Sequence, residues 1–171
     1  MRVAAVVVNY YTGPLLGDCL RRVLRCPQLA ELVLVDNGSP PGEIDALLTA
    51  IDDRRVVRLD LPSNPGFAVA CNHAARACQS PWLLFLNPDC LVEPDTLDRL
   101  ARTAQVHERL AVLGALLVDT EGRPDPASLR RDPLPRRAIA SALGLDRLST
   151  IEGVTLPLAA ASANASRETR R

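Results

Sequence analysis

Residues 3–11 read Val-Ala-Ala-Val-Val-Val-Asn-Tyr-Tyr, an unbroken apolar run that stops on an amide and two aromatics. A run this short and this rich in β-branched valine predicts a strand buried on both faces rather than an amphipathic helix. Three further runs share its shape. Leu32–Val35 leads into Asp36-Asn37-Gly38-Ser39, Val56–Leu59 into Ser63-Asn64-Pro65-Gly66, and Trp82–Leu86 into Asn87-Pro88-Asp89. The segments between them have helical period. Leu15, Leu16, Cys19, Leu20, Val23 and Leu24 predict a first helix closed by Pro27, and Ile44, Leu47, Leu48 and Ile51 a second. An alanine-rich third covers Phe67–Cys78, and a fourth covers Asp95–Val106 with Asp95 as its N-cap.

Strands alternating with helices of this length imply an α/β fold: a mostly parallel sheet with helices on both faces. In such a sheet ligands bind outside the carboxyl ends of the strands, where connections part to opposite faces. A polar residue at one strand end is ordinary, but an amide or carboxylate at all four predicts a common site. A fifth strand is expected over about Leu110–Val118, closed by the turn signal Asp119-Thr120-Glu121-Gly122. Beyond it, Arg123–Arg137 carries four prolines and five arginines and reads as a linker. A short helix is expected around Arg137–Leu148, and then a loose Ala/Ser/Thr-rich tail. The compact core is therefore expected over residues 1–125, with 126–171 as appendage.

Composition removes several classes of function. Twenty acidic and twenty basic residues balance, so no overall field favours nucleic acid or an anionic membrane. Every basic residue is an arginine. A P-loop lysine, a Schiff-base lysine and a pyridoxal anchor are thereby excluded. Two histidines, His73 and His107, are too few for a histidine zinc site. Five cysteines without a CxxC argue against a disulfide framework. Cys19/Cys26 and Cys71/Cys78 read as small buried hydrophobes, each pair on one helix face. No signal-peptide pattern opens the chain, and no stretch reaches the ~18 apolar residues of a membrane span. A cytoplasmic protein is the expectation.

Each polar cluster has two readings. Asp36 at the end of the second strand can accept hydrogen bonds from a base or ribose, yet Asp36-Asn37-Gly38-Ser39 also reads as a tight turn. Gly66 at a helix entrance lets backbone N–H groups approach an anion, yet Asn64-Pro65-Gly66-Phe67 also reads as a capped start with Phe67 plugging the core. Asp89, projected from a rigid strand, can share a Mg²⁺ or Mn²⁺ ion with diphosphate oxygens and water, yet Asn87-Pro88-Asp89 is also a plain turn.

Taken in order, these segments resemble the successive motifs of family 2 glycosyltransferases. They are Val6-Val7-Val8-Asn9-Tyr10, Val35-Asp36-Asn37-Gly38-Ser39, Asn64-Pro65-Gly66-Phe67-Ala68 through Asn72, and Leu86-Asn87-Pro88-Asp89. The rhamnosyltransferase-like branch is the nearest in flavour, and the similarity spans about residues 3–120. The resemblance implies a GT-A fold, a nucleotide-diphosphate sugar donor, a divalent metal (Mg²⁺ or Mn²⁺) and inversion at the anomeric carbon. It implies that Asn9 and Tyr10 line the nucleoside pocket, that Asp36 meets the base, and that Asn37 belongs to the nucleotide-sugar-binding set. Asn64, Gly66 and Asn72 would hold the nucleotide or shape the loop over it. Asn87 and Asp89 would occupy the metal-binding motif, with Asp89 the ligand. Acceptors in this branch are growing polysaccharides or lipid-linked glycans, which would bring the protein to the inner face of a membrane.

The chain departs from the pattern in carrying Asn-Pro-Asp where Asp-x-Asp is usual, one carboxylate fewer. The family's acceptor half and acidic general base are also not recognisable. Asp146, Glu152 and Glu168 lie in contexts unlike that motif, so the catalytic base is unassigned. The expectation is a chain that binds donor but transfers sugar slowly or not at all alone. The alternatives are a non-catalytic nucleotide-binding module and a nucleotidyltransferase-like enzyme. The second fits poorly, because Asn9–Pro14 offers aromatics and one glycine where a Gly-rich basic loop is wanted. A Rossmann dehydrogenase lacks its GxGxxG after the first strand.

Overall fold

Every residue of β1 (Val3–Asn9) is buried, as its uninterrupted apolar sequence demands. The computed structural model describes residues 2–106, 112–125, 128 and 143. The chain divides into two units, Met1–Ala111 and Val112–Arg171. In the first unit β1 is followed by α1 (Leu15–Val23), β2 (Leu29–Asp36), α2 (Asp45–Ile51), β3 (Val56–Asp60), α3 (Phe67–Ala77), β4 (Trp82–Leu86) and α4 (Thr96–Val106). The strands form one parallel sheet in the order β3-β2-β1-β4. Succession runs outward from β1 to β3, then crosses to β4 on the far side. The order reverses between β1 and β4, which is where an open sheet of this kind holds its ligand.

Two cores form on the two faces. On one, Val3, Ala5, Val7, Leu32, Leu34 and Leu86 pack against Leu16, Cys19, Leu20 and Val23 of α1, Ile44 before α2, and Leu97 of α4. On the other, Val6, Val8, Val33 and Val35 pack against Ala70, Cys71 and Ala74 of α3. The small side chains of α3 let the helix lie close to the sheet. Alternate residues of β1 and β2 thus serve opposite cores, and each fully buried Val or Leu contributes ~1.5–3 kcal/mol.

Several sequence expectations need correction. Burial on both faces holds for β1 and β2 but not for the outer strands: Leu83 and Phe85 of β4 and Val57 of β3 are exposed. Phe67 is half exposed as well and plugs no core. α1 ends at Val23, so Cys26 is buried in the following turn rather than on the helix. The strand expected over about Leu110–Val118 is absent among the described residues 112–117. Val118 instead makes an isolated antiparallel bridge with Pro124. Between them the Asp119 carboxylate accepts the backbone N–H groups of Glu121 and Arg123, each at 2.9 Å. A carboxylate that satisfies local amides favours a turn over a ladder. The short helix expected near Arg137–Leu148 and the tail fall outside the described residues, save Leu143. No helix among the described residues is long and apolar enough to cross a membrane.

β3 is fastened by charge at its start. The Arg55 guanidinium meets Asp53 at 2.7 Å and also donates to the Leu24 carbonyl at 2.7 Å, tying the strand to the end of α1. Hydrogen bonds from the Arg55 side chain and backbone hold the Asp53 carboxyl down at about 2, below its ordinary 3.8. Because the folded value lies below the unfolded one, this contribution is present above pH ~4 and lost as pH falls towards about 2. Asp53→Asn is therefore expected to flatten the acid limb of the stability curve between those values, read by chemical denaturation at stepped pH. An unchanged limb would mean that the pair contributes nothing.

Candidate functional site

The carboxyl ends of the strands are joined by side-chain bonds. Asn9 and Asp36 stand opposite each other in the β1–β2 register, and Asp60 stands opposite Asp36 in β2–β3. Alternation places Asn9 and Asp36 on the sheet face covered by α1, and both are buried. The Asn37 N–H donates to the Asn9 carbonyl at 2.9 Å, carrying the parallel ladder one step past the strand. Asn9 Nδ2 donates to Ser39 Oγ at 3.0 Å, and the Ser39 N–H donates to Asp36 Oδ1 at 3.0 Å. This is the turn that Asp-Asn-Gly-Ser was expected to make, and it also sets the carboxylate's orientation.

A second set of bonds ties β2 to the entrance of α3. Asn37 Nδ2 donates to Asn64 Oδ1 at 2.8 Å, and the same oxygen accepts the Gly66 N–H at 2.9 Å. Since Asn64 must present its oxygen to Gly66, Asn37 must present its amide nitrogen, and Asn37 Oδ1 is left buried without a protein donor. Asn9 Oδ1 is in the same state. Buried unpaired acceptors cost ~1–3 kcal/mol each. They are uncommon, and here two lie buried at adjacent strand ends. Gly38 completes the junction: at φ +86, a Cβ there would lie 2.8 Å from the Ser63 carbonyl carbon and 2.9 Å from Asn64 N. Only glycine lets the two loops come this close.

The remaining expected residues are arranged as follows. Tyr10 is half exposed and meets Tyr11 edge-on at 4.8 Å between centroids. Tyr11 has φ 51, a left-handed turn that sequence did not foretell. Gly66, at φ +97, precedes α3 and accepts the Ala70 N–H with its carbonyl. Asn72 is exposed on α3 and bonds to none of the others. On β4, Val7 pairs with Leu86, so Asn87-Pro88-Asp89 emerges beside Asn9 at the order reversal. The Asn87 carbonyl accepts the Cys90 N–H at 3.0 Å, closing a turn that leaves Asn87 and Asp89 exposed.

No group of three or more His, Cys, Asp or Glu side chains able to hold a metal occurs among the described residues. An exposed lone carboxylate such as Asp89 suits an ion that arrives with oxygen ligands of its own, as on a nucleotide diphosphate. Cys19 touches this loop from below, its thiol donating to the Asn87 carbonyl at 3.6 Å. Burial, with Cys90 and Asp89 nearby, pushes that thiol up to about 12, so it stays protonated and is no nucleophile. Two cavities are outlined by described residues. One of about 550 Å³ is lined by Arg2, Asp53 and Arg55 at the opposite end of the strands, and one of about 330 Å³ lies between Gly17 and Leu47. The cluster at the strand ends is an open shelf.

Arg58 is the residue that sequence reading missed. Its side chain reaches Asp60 at 2.5 Å, Asp45 at the start of α2, and Asp36 Oδ2 at 3.8 Å. A single arginine inside an apolar strand was the available signal.

Comparison with known proteins agrees with this architecture. A model of glycosyl transferase family 2 matches residues 4–151. An uncharacterized glycosyltransferase of Haemophilus influenzae is 34% identical over 73 residues, covering 42% of this chain and 29% of that protein. S. aureus TarS 1–349 in complex with UDP-GlcNAc superposes with a TM-score of 0.56 at 18% identity, covering 63% of this chain and 32% of that one. The mannosyltransferase PcManGT from Pyrobaculum calidifontis, in complex with GDP-Man and Mn²⁺, gives 0.56 at 22% identity, covering 66% and 34%. At such identities the two structures attest the fold alone, a GT-A-type sheet. The chain spans about a third of the length of these relatives. The family match extends over most of the residues from β1 onward, with the four strand-end clusters inside it, and the chain belongs to glycosyl transferase family 2.

Proposed function

We propose that the shelf at the carboxyl ends of β1, β2, β3 and β4 binds a nucleotide-diphosphate sugar, and that the protein serves its inverting transfer to a glycan or lipid-linked acceptor. The observation that carries this reading is the bonded set Asn9–Ser39–Asp36 and Asn37–Asn64–Gly66, with Asp89 exposed on the adjoining strand. Family membership supports it, as do the UDP-GlcNAc and GDP-Man bound to the two structural relatives.

Asn9 and Tyr10 border the nucleoside, and Asp36 accepts from the base. Asn37 and Asn64 hold the loop that Gly66 turns into α3, where backbone N–H groups face the diphosphate. Asn72, a turn and a half into that helix, flanks the same ligand. Asn87 and Asp89 face the diphosphate from β4, with Asp89 the residue to hold Mg²⁺ or Mn²⁺. Such an ion, when bound, stabilises negative charge developing on the departing diphosphate. In the transfer itself an acceptor hydroxyl attacks the anomeric carbon as the nucleoside diphosphate leaves from the opposite face. The carboxylate that takes the hydroxyl proton, a role with a rate effect of ~10²–10⁴-fold, is left unassigned.

Titration of the full chain with UDP, dTDP and GDP, with and without Mn²⁺, tests the reading. At least one should bind, and Asp36→Asn should weaken it by ~10-fold, the order expected for a charge-assisted hydrogen bond. Binding of none of the three overturns the proposal. Release of sugar from an intact nucleotide-sugar would then separate a transferase from a nucleotide-binding module.

A further inference from the structure

Arg58 is anchored before any ligand arrives. Its Nε and Nη1 groups donate to Asp60 and Asp45, so its guanidinium is held between β3 and the start of α2. Those hydrogen bonds also raise its already high pKa, and it stays charged. The third carboxylate, Asp36, is treated differently. Its Oδ1 is engaged by the Ser39 N–H at 3.0 Å. Its Oδ2 lies 3.8 Å from Arg58 Nη2, inside ion-pair range but too far for a hydrogen bond. Oδ2 therefore feels the positive charge while its lone pairs remain open to another donor.

From this geometry we infer that Arg58 is a positioning residue for nucleobase selection, acting through Asp36 without touching the ligand. The inference rests on the donor-site reading above and deepens it. A carboxylate only accepts hydrogen bonds. Fixed in orientation between the Ser39 N–H and the Arg58 guanidinium, Asp36 Oδ2 favours bases with a ring N–H, namely uracil, thymine or guanine. It disfavours cytosine and adenine, whose corresponding ring nitrogens are acceptors and would face an unpaired carboxylate. Without the neighbouring guanidinium only the Ser39 N–H holds the carboxylate, and Oδ2 can swing away from the base edge, so that a ring N–H is no longer singled out. Arg58 thus governs selectivity more than affinity.

The experiment is a five-ligand titration (UDP, dTDP, GDP, CDP and ADP, with Mn²⁺) of the full chain and of Asp36→Asn, Arg58→Met and Arg58→Lys. The unmodified protein should prefer its best ring-N–H ligand over CDP and ADP by ~10-fold or more, the order for a site built around one hydrogen bond. Asp36→Asn and Arg58→Met should both bring that ratio to within about 3-fold, and Arg58→Lys, which keeps the charge, should restore most of it. If Arg58→Met does not fold, Arg58→Gln, which keeps N–H donors for Asp45 and Asp60, carries the same comparison. A ratio unchanged in the neutral variant while all five affinities fall together would make Arg58 a structural bolt and overturn the inference, leaving the role of Asp36 intact. A native protein that binds the two groups alike, or neither, would remove the reading of Asp36 itself and this inference with it.

Discussion

Asp89→Ala is expected to abolish the Mn²⁺-dependent part of nucleotide-diphosphate binding while leaving the fold unchanged. The side chain is exposed in the turn after β4, so stability should move by no more than ~0.5 kcal/mol. No group of three or more metal-ligating side chains occurs among the described residues, so no ready-made site should take over its role. Affinity for the preferred nucleotide in Mn²⁺ should fall by at least ~10-fold and become equal to that measured in chelator. In a form of the protein that transfers sugar, the loss should reach ~10²–10³-fold, as several kcal/mol of transition-state charge stabilisation disappear. Asp89→Asn separates charge from shape and should behave like the alanine variant. Calorimetry with and without Mn²⁺ is the measurement, and a retained metal effect in both variants sinks the assignment.

Gly38→Ala should be the most damaging alanine substitution among the described glycines. It combines a left-handed backbone, φ +86, with a methyl group placed 2.8 Å from main-chain atoms of Ser63 that cannot swing aside. Strain and crowding together amount to about 3 kcal/mol, which lowers the melting temperature by roughly 6–12 °C for a chain of this size. Gly66→Ala is the control. Its φ of +97 carries similar backbone strain, but nothing lies within 4 Å of the added carbon, so the loss should be about half as large. The variants should also diverge in nucleotide binding, because only Gly38→Ala pushes apart the loops joined by Asn37 and Asn64. Equal melting points would show that loop contact is not what Gly38 provides.

Much of this was legible in the residues. The eight regular elements among the described residues follow from apolar runs of four to six residues alternating with helical period, and their limits agree within a few residues. Strand order was not legible. Val3–Val8 and Trp82–Leu86 look alike in composition, yet one is central and the other lies at the edge with Leu83 and Phe85 exposed. Which it becomes depends on α3 crossing to the other face, a global choice that no local window contains. The same limit hid the links at the site. Asn37 and Asn64 each read as turn residues, and their mutual hydrogen bond depends on two loops meeting only once β2 and β3 pair. Arg58 went unremarked inside a strand because its three carboxylates come from three different elements. Val112–Val118 failed as a strand because composition reports the tendency to extend, while a strand also needs a neighbour to bond with.

The central position of β1 also bears on how the chain is made. Val3 to Val8 leave the ribosome well ahead of Trp82–Leu86, so one flank of that strand waits for its partner to be synthesised. At ordinary translation speeds the interval is roughly 4–16 s. Throughout it the most water-averse segment of the protein has β2 on one side only. Nascent chains halted before residue 86 should therefore be captured by trigger-type chaperones, and chains halted well beyond it should escape them.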